Sequence, residues 1–343
     1  MLLRWKSGEF LRKVACVSSA VFAELAPFRI EPRFVGRVWG WSDLRPWYDR
    51  AAEGEPIGEV WLTGDDCEIA TGSHAGKTLG EIFHELPEAM LGEGGHGQDS
   101  PLLIKVIFAR EKLSVQVHPD DRMAQKYGQP RGKTECWYAL SADPEAQVAV
   151  GLRRGVTLEQ VKAGIDGGTL EQFLNVLPVE AGEMIFVDAG TVHAIWPGSV
   201  LLETQQNCDL TYRMYDYGRP RELHIEKSLE ATRLETRAGK VAPVVRQDRT
   251  ILVNSDYFCV EKIPVQVSRS SRSLRGPEES RPRLSYLFAA SGKGRLASPS
   301  FAAVDLPERG IVAVPAVSPV FAMQDLGGLE LIRITPLWGG MSA

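Results

Sequence analysis

The sequence predicts a mainly β protein of two halves, each a barrel or sandwich, decorated by a few short helices. Three observations predict it. Gly (33) and Pro (21) are abundant among 343 residues. Gly approaches a tenth of the chain against a usual ~7%, as tight turns between short segments require. Short apolar and β-branched runs bounded by turn residues recur along the whole chain. Helix signals are few, brief and absent after about residue 240. Strands that do not alternate with helices exclude a doubly wound parallel sheet.

In the first half the expected strands are Glu59–Leu62, Leu102–Phe108, Ser114–His118, Glu135–Leu140, Gln147–Val150, Met184–Val187, Val200–Gln205 and Thr211–Tyr215. Thr78-Leu-Gly-Glu81 has capping-box spacing and opens a helix through Leu91; Thr157–Gln160 and Thr169–Gln172 repeat the device. Asp120–Tyr127 and Glu222–Thr232 are two further short helices. In the second half Ile251–Val253, Tyr257–Ile263, Leu284–Ala289, Ile311–Val314 and Leu329–Ile334 read as strands. The polar stretch Ser268–Pro282 reads as a mobile loop. Residues 1–27 stand apart. Basic residues precede an apolar stretch and loosely imitate a signal peptide, but Glu9, Ser18, Ser19 and Glu24 break the pattern. A cytosolic extension or an over-long start is expected.

Composition narrows the function. The balance of 39 Lys+Arg against 44 Asp+Glu gives −5, so neither a nucleic-acid footprint nor an anionic-membrane surface is implied. No apolar run reaches the ~18 residues of a membrane helix. Five scattered cysteines form no C-x-x-C, which argues for a reducing cytoplasm and against a disulfide framework.

The densest chemistry lies in Leu113-Ser-Val-Gln-Val-His-Pro-Asp-Asp121. The two-residue period of a strand puts Ser114, Gln116 and His118 on one face and Val115 and Val117 on the other. In Gly132-Lys-Thr-Glu-Cys-Trp-Tyr138, Lys133, Glu135 and Trp137 share a face and Cys136 turns away. A strand ending Asp188-Ala-Gly-Thr-Val-His193 presents a second imidazole after a Gly turn. Glu203 and Arg213, on neighbouring strands, are candidates for the same cavity. Two imidazoles, a carboxylate and a carboxamide oxygen suit a borderline divalent ion such as zinc. Taken singly, each has an equally ordinary reading as a solvated or hydrogen-bonded strand residue. His74, His84, His96 and His224 lie in loops or helices and are read as structural.

The motif Gly182-x5-Asp-Ala-Gly-x2-His193 resembles the second motif of the cupin superfamily, with Asp188 where Pro is commoner. Gln116-Val-His118-Pro, Gly-Lys133-Thr-Glu135 and Gly190-Thr-Val-His193-Ala resemble, in order, the zinc-site motifs of type I mannose-6-phosphate isomerases. Glu203-x9-Arg213, Arg33-Phe…Trp39-Gly40, Gly58-Glu-Val-Trp61 and Asn254-Ser-Asp-Tyr-Phe258 extend the likeness over about residues 28–338. The resemblance implies two cupin (jelly-roll β-barrel) domains: a catalytic one over 28–240 and a C-terminal one over 241–343 without metal ligands. It implies one Zn2+ per chain on Gln116, His118, Glu135 and His193. The implied reaction interconverts mannose 6-phosphate and fructose 6-phosphate through a cis-enediol. Arg213 is expected as the essential cation, Lys133 and Glu203 as acid/base groups, and Ser114 and Arg219 as holders of phosphate. A small-molecule sugar phosphate is the expected partner of a monomer or weak homodimer. The alternative is a non-catalytic cupin that senses or scaffolds a sugar phosphate. An iron oxygenase is disfavoured, because Gln116 replaces one imidazole and the carboxylate, Glu135, lies on a separate strand.

Overall fold

The computed structural model describes residues 25–265, 268–270, 274 and 282–338. Four antiparallel sheets carry the fold. A seven-stranded sheet runs, in spatial order, Gly239–Val241, Met184–Val187, Glu135–Ala142, Ser199–Gln206, Leu102–Phe108, Ile57–Trp61 and Arg33–Trp41. A five-stranded sheet runs Tyr212–Tyr215, Val115–Val117, His193–Ile195, Gln147–Leu152 and Leu174–Pro178. The second half pairs a seven-stranded sheet (Phe28–Ile30, Ile311–Val314, Ser285–Ser291, Glu330–Pro336, Phe258–Pro264, Thr250–Asn254, Val244–Val245) with a four-stranded one (Ser268–Ser270, Ala322–Asp325, Gly294–Ser298, Phe301–Leu306).

The hydrophobic clusters show how these layers stack. Apolar side chains of Leu102–Phe108 and Ser199–Gln206 point alternately to both faces. Ile107 and Leu201 join Val148, Val150 and Ile195 of the five-stranded sheet. Ile104, Val106, Phe108, Val200 and Leu202 join Phe258, Tyr286, Phe288 and Ile334 of the second half. The first large sheet is therefore a central layer buried on both sides. That explains why its inner strands carry apolar residues at consecutive positions, as in Met184–Val187 and most of Leu102–Phe108, rather than strictly alternating ones. The outer face of the five-stranded sheet is covered by helix residues such as Val161 and Ile165, and the second half has its own interior around Leu287, Leu296 and Met323.

Local signals explain the helices. Thr78 and Thr157 make complete capping boxes with Glu81 and Gln160, starting helices Leu79–Glu85 and Leu158–Asp166. Thr169 does not. Its backbone (φ −119°, ψ 16°) is not extended, so no side-chain cap forms and Leu170–Phe173 is a single 3-10 turn. Asp120 caps Asp121–Lys126 through the Met123 N–H.

Three expectations shift. Residues 1–24 lie outside the described residues, but Leu25 is fully buried in the core shared by the two halves. Phe28–Ile30, at the start of the expected first domain, adds a strand to the second half's sheet by pairing with Ile311–Val314. Ser268–Pro282 opens as strand Ser268–Ser270 on the edge of the four-stranded sheet. A polar sequence suffices there, since the backbone does the pairing. Beyond Ser270, only Leu274 and Pro282 of that stretch are described. Among the described residues no helix is long and apolar enough to cross a membrane.

Candidate metal centre

The two sheets of the first half face each other across a cavity of about 460 Å³. Strand register brings the polar residues together. On the five-stranded sheet, Gln116 lies opposite both His193 and Arg213 on its two neighbouring strands. On the central sheet, Glu203 lies opposite Lys105 on one side and Trp137 on the other, and Gln205 lies opposite Glu135. Side chains two apart share a face. The cavity is accordingly lined by Ser114, Gln116, Lys133, Glu135, Trp137, Glu203 and Arg213. Cys136 and Tyr138 point instead into the core shared with the second half.

At the inner end His118, Glu135 and His193 are each 1% exposed, with potential ligand atoms all within 4.8 Å of one another. His118 Nδ1 lies 2.8 Å from the Leu210 carbonyl and His193 Nδ1 lies 2.9 Å from that of Thr191. A carbonyl only accepts, so each Nδ1 carries the hydrogen and each Nε2 keeps a bare lone pair. Those lone pairs face a carboxylate: His118 Nε2 to Glu135 Oε2 is 3.5 Å and His193 Nε2 to Glu135 Oε1 is 3.4 Å. Neither His118 Nε2 nor Glu135 Oε2 has a hydrogen-bond partner.

Burial pushes the His118 imidazole well below its ordinary range, with Lys133 and His193 adding to it. Burial likewise lowers His193 to about 4, against the Thr191 carbonyl. Neutral imidazoles opposed to a carboxylate with no hydrogen between them are acceptors awaiting a cation. Tetrahedral ligands ~2.0–2.1 Å from an ion stand roughly 3.3 Å apart, close to the separations seen here. The Gln116 amide nitrogen is 3.2 Å from His193 Nε2. Turning the amide over presents its oxygen as a fourth donor. The residues fit a divalent ion.

A second charge chain, buried except at Arg37, runs beside the centre. Arg37 donates to Glu59 (2.8 Å), and Lys105 bridges Glu59 (3.3 Å) and Glu203 (3.5 Å). Lys133 Nζ lies 3.6 Å from Glu135. Burial raises the Glu203 carboxyl to about 8 even against Lys105, with Glu135 adding to the rise. At Glu59 burial pushes upward too, but Lys105, Arg37 and the Trp61 indole outweigh it and hold the carboxyl at about 2. Arg213 reaches the cavity with its Nε buried and unpartnered, while its terminal nitrogen donates to the Glu222 carbonyl (2.8 Å).

Arg219 is not brought to the cavity. It is held by Asp216, Glu111 and the Lys112 carbonyl. Arg221, two residues on, lines the cavity instead, oriented by two bonds to the buried Asp216. Sequence reasoning missed Arg221, Arg37, Glu59 and Lys105. Lys105 did leave a signal, as the one charge in the apolar run Leu102–Phe108. His224, read as structural, accepts the Arg213 backbone N–H at 3.2 Å. Among the described residues no other cluster of three metal-ligating side chains occurs.

A jelly-roll barrel with this cluster on its inner walls is a cupin carrying a candidate metal centre. The family model for the catalytic domain of type I phosphomannose isomerase matches residues 28–158. A probable mannose-6-phosphate isomerase of Bacillus subtilis is 35% identical over 251 residues, 69% of this chain and 79% of that protein. The mannose-6-phosphate isomerase of Streptococcus mutans is 33% identical over 285 residues, 79% of this chain and 86% of its own. A crystal structure of a Bacillus subtilis mannose 6-phosphate isomerase superposes with TM-score 0.79 at 30% identity, covering 90% of this chain and 99% of that one. A Salmonella typhimurium phosphomannose isomerase shares the fold at 18% identity (TM-score 0.73; 91% and 100% covered). The chain belongs to the type I mannose-6-phosphate isomerase family.

Proposed function

We propose that this chain interconverts mannose 6-phosphate and fructose 6-phosphate, with a zinc ion held by Gln116, His118, Glu135 and His193. The observation that carries the reading is the pair of buried acceptors, His118 Nε2 and Glu135 Oε2, left without partners at the end of a polar cavity. A bound divalent ion supplies electrophilic polarisation of substrate oxygen.

The rest of the chemistry falls to side chains. Isomerisation moves a proton from C2 of the aldose to C1 of the ketose through a cis-enediol, while the O2 proton passes to O1. Lys133, just ahead of strand Glu135–Ala142, and Glu203, on the inward face of the central sheet, line the cavity as an amine and a carboxyl and in this reading carry the carbon-bound proton. Arg213 offers a permanent, forked donor to the developing oxyanion or to the phosphate. Ser114 is a hydroxyl at the same wall. Arg221 takes the phosphate-holding role first assigned to Arg219, because it reaches the cavity and Arg219 does not. Five basic lining residues (Arg37, Lys105, Lys133, Arg213, Arg221) face the carboxylates of Glu55, Glu59, Glu135 and Asp209, while burial keeps Glu203 largely protonated near neutral pH, so the cavity leans positive toward a dianionic substrate.

The second half acts as a structural partner in this reading, with the division between the halves near residue 240. Cys67, Cys136 and Cys208 are free thiols, which accords with a reducing cytoplasm. The deciding experiment is a coupled assay for fructose 6-phosphate formed from mannose 6-phosphate, run beside metal analysis. Turnover that survives complete removal of the metal sinks the proposal.

A further inference from the structure

The motif Asn254-Ser-Asp-Tyr-Phe258 opens the second half and has no part in the chemistry above. Its tyrosine nevertheless reaches the helix that follows His118. Tyr257 Oη donates to Asp121 Oδ2 at 2.9 Å. The other oxygen of Asp121 accepts the Gly132 N–H (2.7 Å) and the Gln206 side-chain amide (3.0 Å). Gln206 in turn accepts the Thr134 N–H (2.9 Å) and donates its own backbone N–H to the Thr134 carbonyl (3.0 Å). Thr134 Oγ1 accepts the Ala189 N–H (3.3 Å), just before the Gly190 turn that leads to His193. Lys133 and Glu135 thus stand on a backbone pinned at 132 and 134 by one carboxylate and one amide.

The packing leaves little slack. A Cβ on Gly132 would lie 2.5–2.6 Å from the backbone of Pro119, Asp120 and Asp121, so the two ligand-bearing segments touch directly. The Lys133 N–H bonds the Pro119 carbonyl (3.0 Å), and the Gly190 N–H bonds that of His118 (2.8 Å). Tyr257 is itself fixed. Ser255 Oγ accepts its N–H (3.2 Å), and its carbonyl accepts from Leu337 (2.8 Å) at the end of the last strand. Burial, then the Asp121 carboxylate, raise the phenol well above its ordinary range, so it remains a donor.

We infer that Tyr257 and Asp121 are positioning residues, through which the second half sets the placement of Lys133 and Glu135 in the site of the first. The inference rests on the metal-dependent reading of that site. The phenol holds the carboxylate, the carboxylate holds Gly132 and Gln206, and these hold the segment 132–135 that carries the amine and the ligand. An outer hydrogen-bond partner of a metal ligand typically governs ~10–100-fold in metal affinity or activity.

The test compares Tyr257→Phe with Tyr48→Phe in the full chain loaded with zinc. Tyr48 Oη also bonds across the two halves, to the Arg309 carbonyl (3.0 Å), but makes no hydrogen bond to the ligand-bearing segments. Two quantities are read: the rate of zinc transfer to a chelator, which needs no turnover, and the split between kcat and KM. Tyr257→Phe is expected to release zinc about tenfold faster and to lower kcat about tenfold with KM within about twofold. Tyr48→Phe should move neither. Asp121→Asn keeps an acceptor for Gly132 and should retain zinc better than Asp121→Ala. Equal zinc release from the two tyrosine variants overturns the inference while leaving the metal site standing. A wild-type chain that holds no zinc overturns the metal reading itself.

Discussion

Gln116 and His193 lie directly opposite each other on adjacent antiparallel strands, with Gln116 Nε2 and His193 Nε2 3.2 Å apart. An opposed pair in a ladder is held by the backbone of both strands, so the carboxamide and imidazole are preset before any ion arrives. Removing a direct ligand should therefore cost more than the ~10–100-fold that outer partners cost. We expect His193→Ala and His118→Ala to lose bound metal and isomerase activity together. Gln116→Ala should weaken metal retention less than either. Metal analysis of the purified variants checks this, and a His193→Ala protein with full metal content refutes it.

Arg213 faces the same row from the other side but touches none of the three clustered ligands. Arg213→Ala should then leave metal content unchanged while kcat falls by about 10²–10³, the usual cost of removing one donor to a developing oxyanion. Its backbone N–H is fixed by His224, and the guanidinium adds one bond, to the Glu222 carbonyl. Loss of metal in step with activity would show that Arg213 supports the centre rather than the reaction.

How much of this was legible in the chain depends on what each residue faces. Leu102–Phe108, Met184–Val187 and Ile311–Val314 match their expected limits because apolar runs, broken only by Lys105, admit little else. Strand parity alone turned Cys136 outwards and placed Gln116, Lys133 and Glu135 on the inner walls. The short strands Gly294–Ser298 and Phe301–Leu306 were missed, since their mixed, partly exposed residues carry no clear alternation. Arg37, Glu59 and Lys105 were missed for another reason. Their meeting depends on the register of three strands, which local pattern does not encode. Arg219 and Arg221 look equivalent in sequence, and only the fold of the turn around Asp216 decides which one enters the cavity.

Glu59 makes stability depend on acid pH in a defined sense. Its folded carboxyl lies at about 2 against 4.5 when unperturbed. A depressed carboxyl stabilises the fold fully above pH 4.5 and loses that contribution as pH falls through 2. The side chain is buried, so the contribution is on the order of 3 kcal/mol. Glu59→Gln should be less stable at neutral pH, because Arg37 loses its carboxylate and Lys105 one of its two, and should lose less stability between pH 4.5 and 2. Urea denaturation across that window checks both signs. Parallel slopes for wild type and variant would refute the assignment.

The two halves should unfold as one. Phe258 belongs to the second half yet is fully buried in a cluster that also contains Ile104, Phe108 and Leu202 of the central sheet. Truncating a buried aromatic costs about 3–5 kcal/mol through lost burial and the cavity left behind. Six of the eight tryptophans (Trp39, Trp41, Trp47, Trp61, Trp137, Trp196) lie in the first half, so fluorescence is weighted toward it, whereas circular dichroism reports on strands throughout. In Phe258→Ala the tryptophan and dichroism transitions should therefore move to lower denaturant together. A tryptophan midpoint that stays at the wild-type value while dichroism shifts would mean that the shared core does not couple the halves. The second half would then be an attached module rather than part of one cooperative unit.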